Sequence, residues 1–313
     1  MDATLASIIA AASPLVFAAV GEAITERSGV INLSLDGSIL LSAMAGFAAA
    51  YVTGSVVAGF AAGAGVAALV ALIVAWSGVT LRLNQIAVGF VLTLLCGSLS
   101  AFLGQDFVRL RGPQVSPRPI PVLSDLPFVG RVLFSHNVSV YASMVLVVAA
   151  ALFLARARRG LELRAVGERP EAAHARGIPV RWYRYAATVV GGSLVGVGGA
   201  AFSLDQKAGW AEGLTQGFGW IALAIVIFGG WQPVRVAFGC YLFGALQVLA
   251  LRLQPVVPGL AQILPSLPFP LMIFALVLVS SRILRAATEP YPRLRRRLVP
   301  EPPGALGTNF VLD

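Results

Sequence analysis

Positions 37–81 hold 45 consecutive uncharged and mostly apolar side chains, bounded by Asp36 and Arg82. A membrane-spanning helix needs about 20 such residues. The run therefore supplies two crossings, with a turn at Tyr51-Val52-Thr53-Gly54-Ser55. The rest of the chain agrees. Hydrophobic residues make up 58% of its 313 positions and charged residues 12%, whereas soluble domains carry about 25% charge. There are too few polar residues to cover a water-facing surface. This excludes an ordinary soluble enzyme, a nucleic-acid module and a disordered protein, and leaves the integral membrane class.

The other uncharged stretches give further spans at 5–23 (interrupted by Pro14), 83–103, 138–155, 185–202, 217–230, 236–253 and 267–283, of which 217–230 is short. The expectation is an all-α, polytopic bundle of about nine spans, with eight to ten allowed. Residues 1–287 form the transmembrane domain and 288–313 a basic, flexible cytoplasmic tail. Asp2 is the only charge before Glu22, so the first span lacks the basic flank of a cleavable signal and is expected to stay in the mature protein.

Charge placement sets the orientation. Residues 156–184 hold eight Arg and three Glu, and 282–313 hold six Arg and three acids. Basic clusters mark cytoplasmic segments. An even number of crossings separates the two clusters, so they agree. Counting back places 26–36 inside and the N-terminus outside. The Pro-rich segment 104–137 then lies outside as an extended loop with a short helix, although it carries four Arg against two Asp.

No phosphate-cradling G-x-x-x-x-G-K-[ST] loop occurs, so this chain does not hydrolyse ATP by that route. Cys96 and Cys240 each lie in an apolar run and read as inert small hydrophobes. His136 and His174 fall on loops assigned to opposite sides, so no metal site is expected. Proton-coupled carriers concentrate ionisable groups in their spans. Here only Glu22, Asp36, Arg82 and Asp205 lie within or beside spans, each near an expected end, where an interfacial or capping role is the simpler account.

Three segments stand out. Residues 25–37 (T-E-R-S-G-V-I-N-L-S-L-D-G) read as a connecting loop or as an interrupted membrane helix, with Gly29 and Gly37 bracketing the break. Residues 209–220 are a second Gly-interrupted stretch, leading into the short span; the alternative is a Gly-rich outer loop. Paired interruptions in two halves of a chain point to a pathway near the midplane. The third segment is 160–180. Pro170 suits a first helical residue and Glu171 the positive end of a helix, while Gly177 and Pro179 end it. A two-turn cytoplasmic helix between two spans reads as a docking element for a partner.

This third segment carries a resemblance. R-A-V-G-E-R-P-E-A-A-H-A-R-G-I resembles the coupling motif of ABC importer permeases of the ribose/nucleoside/branched-chain amino acid class, roughly R-A-x-G-x-N-P-x-A-A-x-x-x-G-I. Arg164, Ala165, Gly167, Pro170, Ala172, Ala173, Gly177 and Ile178 match, while Arg169 stands where Asn is usual. The early stretch resembles the family's E-R-x-G-x-x-N-I-G-L-E-G through Glu26, Arg27, Gly29, Asn32, Leu35 and Gly37. There Asp36 replaces Glu and Ser34 replaces Gly. L-R-L-N-Q-I-A-V-G and I-A-L-A-I-V-I-F-G-G-W-Q-P are similar as well. The subgroup resembled is the shorter simple-sugar or nucleoside type permease.

The resemblance implies a permease subunit in a bacterial inner membrane, passing a nucleoside or simple sugar. It also implies a second permease subunit, a cytoplasmic ABC ATPase and an extracytoplasmic solute-binding protein as partners. No cofactor is expected on this chain, and ATP is hydrolysed by the partner subunits; apart from the solute and membrane lipid no other ligand is expected, and no nucleic acid. ATPase coupling is assigned to Arg164, Gly167, Pro170, Glu171, Ala172, Ala173 and Gly177. The substrate pathway is assigned to Asn32, Ser34, Asp36, Asn84, Gln85, Gln216 and Gln247, because a sugar or nucleoside path needs neutral hydrogen-bond groups. The competing classes are an ion-coupled secondary carrier and a membrane scaffold without a pathway.

Overall fold

The computed structural model describes residues 2–256, scattered positions from 263 to 277, and residues 301–310. In chain order the helices are α1 (Asp2–Arg27), α2 (Leu35–Thr53), α3 (Val56–Ala75), α4 (Gln85–Gly104), α5 (Val129–Leu133), α6 (Val138–Arg156), α7 (Arg158–Glu168), α8 (Pro170–Ala175), α9 (Val180–Ala201), α10 (Phe218–Phe228) and α11 (Pro233–Leu253). A wider π turn extends α3 to Thr80 and α9 to Gln206.

Among the described residues, seven helices are long and apolar enough to cross a membrane: α1, α2, α3, α4, α6, α9 and α11. The short apolar α10 adds an eighth element at the expected place. The expected last span, 267–283, lies largely outside the described residues, as does most of the 288–313 tail. All-helical architecture follows from the solvent, since lipid offers no partner to a free backbone amide or carbonyl. The turn inside the long uncharged run narrows to two residues. Gly54 adopts a left-handed φ of 67° after α2, and Ser55 Oγ accepts the Ala58 amide at 3.4 Å to start α3. The Pro-rich segment 104–137 contains the short α5 and an isolated bridge between Pro117 and Asn137.

Pro14 does not break α1. Proline removes one amide and frees the carbonyl of Ala10, four residues earlier. That carbonyl accepts from Gln206 Nε2 at 2.6 Å and Ser13 Oγ at 3.1 Å, so the helix runs on.

The centre of the bundle is α9, which packs against α1, α2 and α3. Its glycines face different neighbours. A Cβ at Gly198 would sit 2.6 Å from Pro14 O in α1, and one at Gly199 would sit 2.7 Å from Ile39 O in α2. Gly196 lies against Gly63 and Ala64 of α3, whereas Gly59 of the same helix faces Gly46 and Ala50 of α2. In lipid, helix association depends on such close approach. Gly199→Val should overpack the α2 contact and cost about 1–3 kcal/mol. A clear drop in melting temperature of the detergent-solubilised protein would register it, and an unchanged melt would contradict this packing.

Candidate functional site

The two interrupted stretches meet. After α1 ends at Arg27 the backbone leaves the helix, and α2 begins at Leu35. Ser28, Val30, Asn32 and Ser34 of this break are fully buried, or nearly so. Buried irregular backbone must find partners, and α4 provides several of them. Ile31 N donates to Gln85 Oε1 at 2.8 Å, at the first residue of α4. Thr93 Oγ1 donates to Leu33 O at 2.7 Å, about 12 Å further along the same helix. Within the break, Ser34 N and Oγ both donate to Asn32 Oδ1, at 3.1 and 2.5 Å. The chain thus passes along α4 as irregular backbone and only then becomes α2.

The second break descends to the same level. After the π turn that extends α9, residues 207–217 run without regular structure to Gly217, whose left-handed φ of 87° starts α10. Asp36, the second residue of α2, accepts from Gly217 N and Gly219 N through one oxygen, both at 2.9 Å. It is the cap of α10, delivered from another helix. With 11 residues, α10 is roughly 16 Å long, about half of a 30 Å hydrocarbon core. Two helices therefore start from one buried junction. Helix N-termini carry partial positive charge, and a carboxylate between them answers it.

The candidate pathway residues sort by this geometry. Asn32, Ser34, Asp36 and Gln85 are brought together at the first break, and all four are buried. Asn84 caps α4, accepting the Ala87 amide at 3.1 Å. Gln216 lies beside the junction, in a recess of about 160 Å³ shared with Leu40, Gly97, Ser100, Glu212 and Gly213. Gln247 is apart, lining another recess with Phe218 and Phe269. Glu22 lies five residues before the end of α1, but it is fully buried, so the interfacial or capping account is corrected for this residue. Asp205 binds the Asn137 and Ser139 side chains at the start of α6.

At the opposite end of α10 lies the arginine-rich end of the molecule. Gly230 and Trp231 turn the chain into α11, both left-handed with φ of 59° and 55°. Their carbonyls are held by Arg27: Nη2 donates to Gly230 O at 3.1 Å and Nε to Trp231 O at 3.0 Å. Trp231 Nε1 donates to Glu26. A third arm of Arg27, Nη1, reaches Glu168 at 3.6 Å, at the end of α7. α8 follows, with Pro170 at its first position as the sequence suggests, and Gly177 left-handed just beyond its end. Of the candidate coupling residues, Gly167, Pro170 and Ala173 are buried and anchor this corner, while Arg164, Glu171, Ala172 and Gly177 are exposed. Nearby Glu162, on α7, is held below the usual carboxylate range by hydrogen bonds from the Tyr183 hydroxyl and then Arg158.

A family model described as the permease component of the branched-chain amino acid transport system matches residues 4–278. The chain belongs to this family. It is 37% identical over 254 residues to a putative glucose ABC transporter permease of Haloferax volcanii, covering 80% of this chain and 77% of the relative. It is 30% identical to the nucleoside ABC transporter permease NupC of Lactococcus lactis, with 83% and 85% covered. It is also 30% identical to the guanosine ABC transporter permease NupQ of Bacillus subtilis, with 77% and 79% covered. No solved structure matches. The chain is thus a multi-pass ABC transporter permease subunit, and its family is a transport family and not a catalytic one.

Sequence reading of this permease missed Glu26, Arg27, Thr93, Gly217, Gly219 and Trp231 as site residues. Their signal was present, since five of the six stand in stretches singled out above. What was missing was the pairing across some 200 positions.

Proposed function

We propose that this permease subunit carries a neutral polar solute, a nucleoside or simple sugar, inward across the plasma membrane. The observation that carries the reading is the Asp36–Gly217/Gly219 junction, where two helices begin in the interior of the bundle. Discontinuous helices of this kind build solute paths, because their freed backbone groups can face a cavity. The recess holding Gln216 and Ser100 opens beside that junction and offers their neutral hydrogen-bond groups beside the Glu212 carboxylate. Relatives named for glucose, nucleosides and guanosine support the same solute class.

In this reading the arginine-rich end faces the cytoplasm and the N-terminus lies outside. α8 is the contact for an ABC ATPase, a second permease chain completes the pathway, and an extracytoplasmic binding protein delivers the solute. Arg164, Glu171, Ala172 and Gly177 are presented to the ATPase, while Gly167, Pro170 and Ala173 seat the helix. ATP is hydrolysed on the partner. Membership of an ABC permease family weighs against the ion-coupled carrier, as do the bonds that engage Asp36 and Asp205 at helix starts.

The test is a pull-down of the tagged chain from mildly solubilised native membranes, followed by reconstitution. Recovery of an ATPase and a second permease, and ATP-dependent uptake of labelled guanosine or glucose by the reconstituted complex, are expected. A chain recovered alone in several mild detergents, or uptake that follows an ion gradient and ignores ATP, would overturn the reading.

A further inference from the structure

Residues 301–310 are seated on the arginine-rich end and join five separate pieces of it. Ala305 N donates to Gly167 O at 2.8 Å, at the end of α7. Gly307 N donates to Gly29 O at 2.9 Å, at the start of the first break. Thr308 O accepts from Arg184 Nη1 of α9 at 2.8 Å. Asn309 Nδ2 donates to Arg82 O at 3.0 Å, in the turn before α4. Phe310 is buried, and its ring centroid lies 5.7 Å from that of His174 on α8.

This fit is specific. A Cβ at Gly304 would sit 2.7 Å from Glu168 O, and one at Gly307 would sit 2.6 Å from the Ile31 side chain. Gly307 also needs its left-handed φ of 73°. The spacing G-A-L-G thus lets one turn of backbone lie between α7 and the break, bonded to both sides two residues apart. Pro303, Ala305 and Phe310 are buried by the contact. The segment also lies beyond the residues the family model matches.

We propose that residues 301–310 are a positioning strut for coupling. The strut ties α7 and α8 to the break at 28–34, so that a displacement of α8 reaches Asn32, Ser34 and Asp36. The proposal rests on reading α8 as the ATPase contact. Two backbone bonds two residues apart leave little play between the Gly167 and Gly29 carbonyls. Phe310 on His174 fixes the α8 side, and Asn309 on Arg82 carries the link to the base of α4. Arg27 joins the same corner to α10. Without the strut, α8 would keep its seat through Pro170 and Ala173 but would lose this tie to the break.

The experiment uses the full transporter in proteoliposomes, with uptake of labelled guanosine or glucose, whichever the wild-type complex accumulates, read alongside ATP hydrolysis. The variants are deletion of residues 301–313, Ala305→Pro, which removes one amide donor, Phe310→Ala, and Phe310→Tyr as the conservative control. Glu171→Arg runs in parallel as a test of α8 itself. The expected result is hydrolysis within about twofold of wild type and uptake reduced roughly tenfold, the size of a typical coupling between sites, in the deletion, Ala305→Pro and Phe310→Ala. Phe310→Tyr should restore most of the loss. If uptake and hydrolysis fall in proportion, the segment is merely structural and the proposal fails. If Glu171→Arg uncouples while the strut variants transport normally, the strut is overturned and α8 stands. If neither uncouples, the ATPase reading of α8 falls and takes the strut with it.

Discussion

Asp36→Ala is expected to abolish most transport, with uptake down tenfold or more, and to lower the melting temperature of the solubilised protein. One carboxylate oxygen accepts both the Gly217 and Gly219 amides at 2.9 Å. Hydrogen bonds to a charged group are worth about 1.5–3 kcal/mol each, and this carboxylate is buried. Losing the pair should cost about 3 kcal/mol or more and leave two amides unmet at the head of α10. The start of α10 would then drift from that of α2, next to the recess that Gln216 lines. Asp36→Asn keeps a carbonyl acceptor without the charge and should fall between wild type and alanine. Asp205→Ala gives the contrast. It breaks contacts with Asn137 and Ser139 at the far end of the span, so it should lower stability while leaving uptake within about threefold. If Asp36→Ala retains normal uptake, the junction is scaffold and the pathway lies elsewhere.

The parts of this fold that depend on local chemistry were legible in the sequence. An uncharged run of 45 residues can only span lipid. Gly54-Ser55 is a left-handed turn followed by a capping hydroxyl, and both signals are read within one helical turn. Pro170 and Gly177 punctuate α8 in the same way. Asp36 was singled out as a candidate, but as a solute contact, whereas the structure uses it to cap α10. The reason is distance along the chain. Its partners are Gly217 and Gly219, and nothing local states that two breaks so far apart share one level of the bundle. The break itself was ambiguous because buried irregular backbone is stabilised by partners such as Gln85 and Thr93, contributed by another helix. α7 was missed for a different reason. Most of its residues are polar or glycine, and only Leu163, Val166 and two glycines are buried, a stripe too narrow to stand out against an arginine-rich loop. Residues 301–310 read as tail because their bonds are mostly made by backbone atoms, which have no sequence signature.

Arg27→Ala is expected to separate ATP hydrolysis from transport: hydrolysis persists, and uptake falls by tenfold or more. The argument turns on which of the contacts of Arg27 matters. Its pair with Glu168 spans 3.6 Å, and the Glu168 side chain is 52% exposed. Exposed ion pairs contribute about 0–1 kcal/mol, so Glu168→Ala should leave uptake within about twofold. The fork to Gly230 and Trp231 is different. The Arg27 side chain is only 12% exposed, and its two donors meet adjacent carbonyls of a turn whose residues are both left-handed. Unmet buried carbonyls cost about 1–3 kcal/mol each. Without the fork the turn between α10 and α11 can relax, and a movement of α7, whose Gly167 packs against the Arg27 carbonyl, would no longer be felt by α10. Arg27→Lys discriminates further, because an ammonium is a point donor and cannot reproduce the planar two-pronged geometry. It should keep the charge next to Glu168 yet restore little transport. If lysine rescues fully, or if Glu168→Ala is as damaging as Arg27→Ala, charge and not the fork carries the coupling. The path from α8 to Asp36 would then run through the ion pair instead of along α10.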